Sequence, residues 1–180
     1  MEANRFLLSG SGGQGVITMG ILLAEAAVMH EGLTAVQAQS YGPEARGGAT
    51  RCDVIISRDP ILFPKVLQAN VLVSLTQEAL QKYIQHLSPG GLLVTDDSVQ
   101  PNGRVNARHV SLPMHERVMG EIGKAQVYNI CVLGAVIALT GAVKRQSLEK
   151  LLKDRFAAAF HEANNNALDL GMQLAKACTA

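Results

Sequence analysis

Tryptophan is absent from this chain, and aromatic residues make up only 4% of it. The core must therefore be assembled from Ala, Val, Leu and Ile, whose side chains fill space without offering a polar tip. Charge is scarce too, at 17% against 48% hydrophobic residues, and the net charge is +1. With no basic run, the chain lacks the electrostatic footprint of a nucleic-acid binder. The three cysteines, Cys52, Cys131 and Cys178, lie far apart and form no C-x-x-C. This chain alone is thus not expected to hold an iron–sulfur cluster or a structural zinc. The odd cysteine count, with no signal peptide, is the pattern of a cytoplasmic protein. None of His30, His86, His109, His115 and His161 pair at metal-ligand spacing. The most apolar stretch, Ile130 to Thr140, falls short of the about 20 residues that span a bilayer. No membrane and no metal is therefore expected.

A length of 180 residues reads as one domain, residues 1–180, large enough to bury a full core. Such low charge on a small domain suggests that partners cover part of its surface. Phe6-Leu7-Leu8 is followed by Gly10-Ser-Gly-Gly-Gln-Gly15 and then by a long Ala-rich helical stretch. Strand, glycine loop and helix in that order set a helix N-terminus against a phosphate, and the glycines admit a ligand without Cβ interference. The loop satisfies G-x-G-x-x-G. A dinucleotide site, however, needs a carboxylate at the tip of the second strand to hold the ribose. The second strand, Leu33 to Gln39, ends on Gln39-Ser40-Tyr41, and Glu31 sits at its wrong end. No Walker lysine follows the loop, and the G-D-G…Asn pattern of thiamine diphosphate binding is missing.

Periodicity organises the remainder. The first strand is read at Arg5–Ser9 and the first helix at Gly13–Met29, with Gly32 stopping it. Ala49 to Ser57 alternates: Cys52, Val54 and Ile56 share one face, while Arg51, Asp53 and Ser57 share a face turned to water or a partner. Val71–Leu75 and Leu92–Val94 are unbroken apolar runs flanking a helix at Gln77–His86 and a turn at Ser88–Gly91. That is a βαβ unit with parallel, buried strands. Val105–Val110 reads as a strand and Met114–Ile122 as an amphipathic helix. Asn129 is the expected N-cap of a buried central helix ending at Gly141, and Ser147 the expected cap of the next. A last helix is expected from about Asp154 to Ala177. The result is one α/β domain with a helical C-terminal third.

Two polar features compete as chemistry. Asp96-Asp97 stands at a strand end, where adjacent side chains point to opposite faces, so a turn or capping role is expected. Tyr41, Glu44 and Arg46 form the denser cluster, followed by Gly47 and Gly48 at the mouth of a strand, where something approaches closely. Arg46 could clamp a phosphate or a carboxylate. Its loop would share an edge with the glycine loop if the first two strands are parallel neighbours.

Three segments in this order resemble the gamma subunit of the 2-oxoacid:ferredoxin oxidoreductases: Gly10 to Gly15, Ser40-Tyr-Gly-Pro-Glu-Ala-Arg-Gly-Gly48, and Asn129-Ile-Cys-Val-Leu-Gly-Ala135. Leu139-Thr-Gly141, Asn166-Ala167 and Gly171 also fit, so the resemblance covers essentially the whole chain. The second segment is more similar to the 2-oxoglutarate type than to the pyruvate type. The resemblance implies a three-layer α/β/α domain with a mixed, partly parallel, barrel-like sheet. It implies oxidative decarboxylation of a 2-oxoacid with coenzyme A, giving an acyl-CoA and reduced ferredoxin. Thiamine diphosphate, magnesium (Mg2+) and iron–sulfur (4Fe–4S) clusters would sit on alpha, beta or a ferredoxin-like delta subunit. This subunit would carry no catalytic residue of its own, and would be associated with coenzyme A through Gly10, Gly12, Gly13, Gln14, Gly15, Tyr41, Glu44, Arg46, Gly47, Gly48 and Asn129. The small subunit of an indolepyruvate oxidoreductase, or a stand-alone nucleotide-binding protein, are the alternatives. Isolated, the chain is expected to form a homodimer, with Ala49–Ser57 in the covered surface.

A charged hydrogen bond contributes about 1.5–3 kcal/mol. Arg46→Ala should therefore weaken coenzyme A or 2-oxoacid binding by roughly one to two powers of ten, and Arg46→Lys less. Unchanged Michaelis constants for both in an intact complex would make Arg46 a solvated loop residue.

Overall fold

Phe6, Leu7 and Leu8 show no alternation because β1 is central and covered on both faces. The computed structural model describes residues 3–39, 48–103 and 105–178. In chain order the elements are β1 (Asn4–Gly10), α1 (Val16–Glu31), β2 (Thr34–Gln39), β3 (Thr50–Ser57), β4 (Ala69–Ser74), α2 (Gln77–Tyr83), β5 (Leu87–Asp96) and β6 (Ala107–Leu112). Then follow α3 (Met114–Glu121), α4 (Tyr128–Thr140), α5 (Arg145–Arg155) and α6 (His161–Ala177). The six strands form one sheet in the order β2-β3-β1-β4-β5-β6. β1, β4, β5 and β6 run parallel, and β3 runs antiparallel to both β1 and β2.

Helices cover both faces unequally. On one face Phe6, Leu8, Cys52, Val54, Val73 and Val94 join the main core with α1, α4, α5 and α6. The other face holds Leu7, Ile55, Leu72 and Leu93 under Leu80 and Tyr83 of α2 and Val66 of the β3–β4 connection. α4 is buried from Tyr128 to Ile137, as an all-apolar helix requires. It crosses α6 at backbone contact. A Cβ on Gly134 would collide with the Leu168 carbonyl, and one on Gly171 with the Cys131 carbonyl. The mixed sheet, the helices on both faces and the helical C-terminal third agree with the expected architecture.

Several local expectations are corrected. β1 and β2 are not neighbours, because β3 lies between them; they do point the same way, so their carboxyl ends share an edge. The second face of β3 is not left for a partner. Arg51 pairs with Asp53 at 2.7 Å, and its Nη2 donates to the Val66 carbonyl at 2.7 Å, so the chain covers this face itself. Ser88–Gly91 belongs to β5, with Leu87 paired to Ala69 ahead of a register shift. Asn129 is not a cap, since α4 begins at Tyr128 after a 3-10 turn. Ser147 lies inside α5 and donates to Glu31 Oε1 at 2.5 Å. Glu31 also accepts from the Lys144 amide at 2.9 Å, so the end of α1 caps α5 from a distance. The last helix, α6, starts at His161 and not at about Asp154: α5 ends at Arg155, Phe156 is extended, and His161 Nε2 donates to the Phe156 carbonyl at 2.7 Å.

The α4–α6 crossing makes a stability prediction. Gly171→Ala should lower the unfolding free energy by about 1–3 kcal/mol through overpacking against rigid backbone, read from the urea midpoint. An unchanged midpoint would mean that the helices separate freely.

Candidate functional site

β1 ends at Gly10, and the chain must turn sharply to enter α1. Gln14 organises that turn from within. Its Oε1 accepts from the Ser11 amide at 2.7 Å, its own amide donates to the Ser11 carbonyl at 3.3 Å, and its Nε2 donates to the Leu75 carbonyl at 3.5 Å. The four glycines serve different needs. Gly13 and Gly15 have φ of 88° and 71°, the left-handed region. A Cβ on Gly10 would come within 2.5 Å of Gln14 Oε1, and one on Gly15 would collide with the Asn129 side chain. Gly12 differs. Its φ is not positive, and a Cβ there would meet nothing within 4 Å. Nothing described in the chain requires a glycine at position 12; an approach from outside would.

The loop opens onto the start of α1. Gly15 is the N-cap and supplies no side-chain acceptor, and the first turn of α1 holds no acidic residue. The free amides and the positive end of the helix dipole are thus left for an external anion. Asn129, in the first turn of α4, is 8% exposed and packs against Gly15; its Oδ1 has no hydrogen-bond partner among the described residues.

The chain leaves β1 toward one face of the sheet and β4 toward the other, so the crevice between their carboxyl ends is the switch point where ligands of open α/β sheets bind. Ser9 and Ser74 fill its floor, fully buried and 2.9 Å apart through their hydroxyls. Beside the loop, a cavity of about 260 Å³ is lined by Gln14, Leu75, Asp97, His115, Glu116 and Tyr128. Asp96, 3% exposed, braces its wall. Its Oδ2 accepts from the Tyr128 hydroxyl at 3.0 Å and from the His115 amide at 2.9 Å, and its Oδ1 from Ser98 at 3.2 Å. Asp96 therefore caps α3, whose preceding Pro113 provides no side-chain cap. Burial, then the Asp96 carboxylate, pushes the Tyr128 phenol far above its ordinary pKa. Desolvation, then Asp96, raises Asp97 above the usual carboxylate range.

A larger cavity, about 720 Å³, lies at the opposite edge beside Asn4, Glu31, Ser57, Arg58, Thr140 and Lys144. α1 and α4 end there and α5 begins there, and the lining mixes Glu31 with Arg58 and Lys144, the last paired with Glu31. The smaller crevice is the one beside the glycine loop and the uncapped start of α1.

Of the sequence-predicted residues, the structure brings Gly10, Gly12, Gly13, Gln14, Gly15 and Asn129 together. Gly48 lies two residues before Thr50, which pairs with Gly10, so it reaches the same edge. Tyr41, Glu44, Arg46 and Gly47 lie outside the described residues. Asp96 and Asp97, one buried and one exposed, line the same cavity and their carboxyl groups interact, against the expectation of opposite faces; β5 ends at Asp96, so strand alternation does not reach Asp97. Tyr128 was not anticipated. The one available signal was a polar-tipped aromatic at the head of an apolar helix, which needs a buried partner. Cys52 and Cys131 are buried thiols on β3 and α4, raised to about 11 and about 12 by desolvation, so both are held protonated. Among the described residues no helix is long and apolar enough to cross a membrane.

Comparison with known proteins extends over the whole domain. Residues 5–174 match the pyruvate ferredoxin/flavodoxin oxidoreductase family. The chain is 40% identical, over 94% of its length, to the 2-oxoglutarate synthase subunit KorC of Methanocaldococcus jannaschii, of which it covers 92%. It superposes with a TM-score of 0.87 on the gamma subunit of a keto/oxoacid ferredoxin oxidoreductase from Geobacter sulfurreducens, at 40% identity, covering 97% of this chain and 99% of that one. It shares its fold (TM-score 0.89, 23% identity) with the 2-oxoglutarate:ferredoxin oxidoreductase of Magnetococcus marinus, solved with 2-oxoglutarate, coenzyme A and succinyl-CoA bound. There it covers 98% of this chain and 32% of that one.

The Tyr128–Asp96 contact is measurable. Tyr128→Phe keeps the ring and removes one hydrogen bond to a buried carboxylate, so it should cost about 1.5–3 kcal/mol of stability. A urea titration showing no loss would reduce Tyr128 to a packing residue.

Proposed function

Because the chain belongs to the pyruvate ferredoxin/flavodoxin oxidoreductase family as a gamma subunit of the 2-oxoacid:ferredoxin type, we propose that its glycine loop receives the phosphates of coenzyme A. The enzyme it completes would convert 2-oxoglutarate to succinyl-CoA with reduction of ferredoxin. The carrying observation is Gly12, a glycine that neither backbone conformation nor internal packing demands, placed over the uncapped start of α1. Backbone amides there can hold an anion without a charged side chain. Phosphates fit this donor set, whereas the 260 Å³ crevice beside it, braced by Asp96 and edged by Asp97 and Glu116, suits an uncharged or hydrogen-bond-donating part of the same ligand.

The 2-oxoglutarate assignment is supported by the M. jannaschii relative and by the S-Y-G-P-E-x-R-G-G form of residues 40–48. Thiamine diphosphate, magnesium and iron–sulfur clusters are assigned to alpha and beta partners, and ferredoxin is assigned as the electron acceptor. The buried, protonated thiols of this chain do not suit a cluster. A dinucleotide reading is disfavoured by topology. β3 separates β2 from β1, and β2 ends on Gln39, so among the described residues no carboxylate stands at the tip of β2 to hold a ribose.

The test is reconstitution with alpha and beta partners, assayed with 2-oxoglutarate, coenzyme A and a viologen dye. The isolated chain should give no turnover. Gly12→Val should fold normally and raise the Michaelis constant for coenzyme A by roughly ten- to a hundredfold, the loss of one to two phosphate contacts. A folded variant with an unchanged constant would make the loop purely structural.

A further inference from the structure

The two edges of the sheet are chemically unlike. β6 carries Arg108 and His109, the kind of residues that keep other strands away. β2, Thr34-Ala-Val-Gln-Ala-Gln39, has no charge and no proline, and its pairing to β3 runs without a bulge. Among the described residues no strand lies on its outer side. Among the described residues it therefore shows none of the charges, prolines, bulges or covering segments by which edge strands avoid pairing.

α1 adds a second feature beside that edge. Its buried side packs across β2 and β3. Ile17, Ile21, Ala24 and Val28 fall at spacings of four, three and four, which is one stripe on a helix. None of the four is fully buried, and Val28 is 50% exposed. The stripe lies on the flank between Gly20, which meets Cys52 of β3, and Glu25, which pairs with Arg155 of α5. From Ile17 to Val28 it runs about 16 Å along the helix, close to the roughly 17 Å of a six-residue strand.

We infer that β2 pairs antiparallel with β2 of a second copy of this chain, joining two six-stranded sheets across a two-fold axis with the α1 flanks packed together. An antiparallel strand edge is complementary to itself, and an uncharged one carries no repulsion when doubled. A two-fold interface needs this self-complementarity. The competing apolar surface, Leu62, Phe63 and Leu67 of the β3–β4 connection, offers exposed side chains but no row of open backbone groups.

Sedimentation of the isolated full-length chain at micromolar concentration should show a dimer. Amides of Ala35 to Ala38 should be protected from exchange at high concentration and lose that protection on dilution. Thr34→Lys with Ala38→Lys, both at exposed positions, should raise the dissociation constant by about a hundredfold. Far-UV circular dichroism and the urea transition establish that the variant is folded. Val28→Lys, on the helix flank, tests the same interface without touching the strand and should raise the constant by about tenfold. Leu62→Lys should leave it unchanged. A strict monomer in the unaltered chain overturns the inference. So does a dimer that survives the strand and flank variants, or one that dissociates only with Leu62→Lys.

Discussion

The glycine loop depends on two helices whose backbones touch. Gly134 and Gly171 let α4 and α6 approach until carbonyl oxygens occupy the space of missing methyl groups. That contact fixes α4 in the middle of the core, with every residue from Tyr128 to Ile137 buried. The first turn of α4 is then held at its other end by the Tyr128 hydroxyl on Asp96. Asn129, the next residue, is pressed against Gly15, and Gly15 can be nothing larger. A loop that looks like a local motif is thus supported by residues more than a hundred positions away. This explains why residues 129–135 and the last helix resemble the family as plainly as the loop does.

Electrostatics divides the same region without using many charges. The start of α1 contributes a positive potential from aligned peptides alone, with no acidic residue in its first turn to neutralise it. Along the same crevice the wall is acidic, and its buried Asp96 carboxylate accepts from three donors. Asp96 serves architecture: it caps α3 and orients Tyr128.

Much of this was legible in the residues, and the failures share a cause. Strands and helices with clear periods were placed within a few residues, as for β1, α1 and the βαβ unit of β4, α2 and β5. Gly32 and Gly141 end their helices as read, with φ of 64° and 63°. Of the site, the glycine loop was read from local order, but Tyr128 and Asp96 could not be joined, because 32 residues separate them and neither belongs to a motif. Strand order stays open in the sequence for a similar reason. Nothing in β1 or β2 says that β3 will intervene, since that depends on which pairing buries Cys52, Val54 and Ile56 under α1. Ser147 and Asn129 were taken for caps from residue type alone, whereas the actual acceptor for α5 is Glu31, on a different helix.

The central place of β1 also bears on how the chain comes into being. β1 is made first, yet both strands that flank it, β3 and β4, are made later, and its register is set by pairs such as Phe6 with Val54 and Phe6 with Val71. During synthesis Phe6, Leu7 and Leu8 have no strand partner until β3 emerges, and their second flank stays open until β4 follows. A nascent chain in this state is a natural client for a holding chaperone. The native sheet closes from the middle outward, by contacts distant in sequence, and chains of that kind acquire their structure slowly.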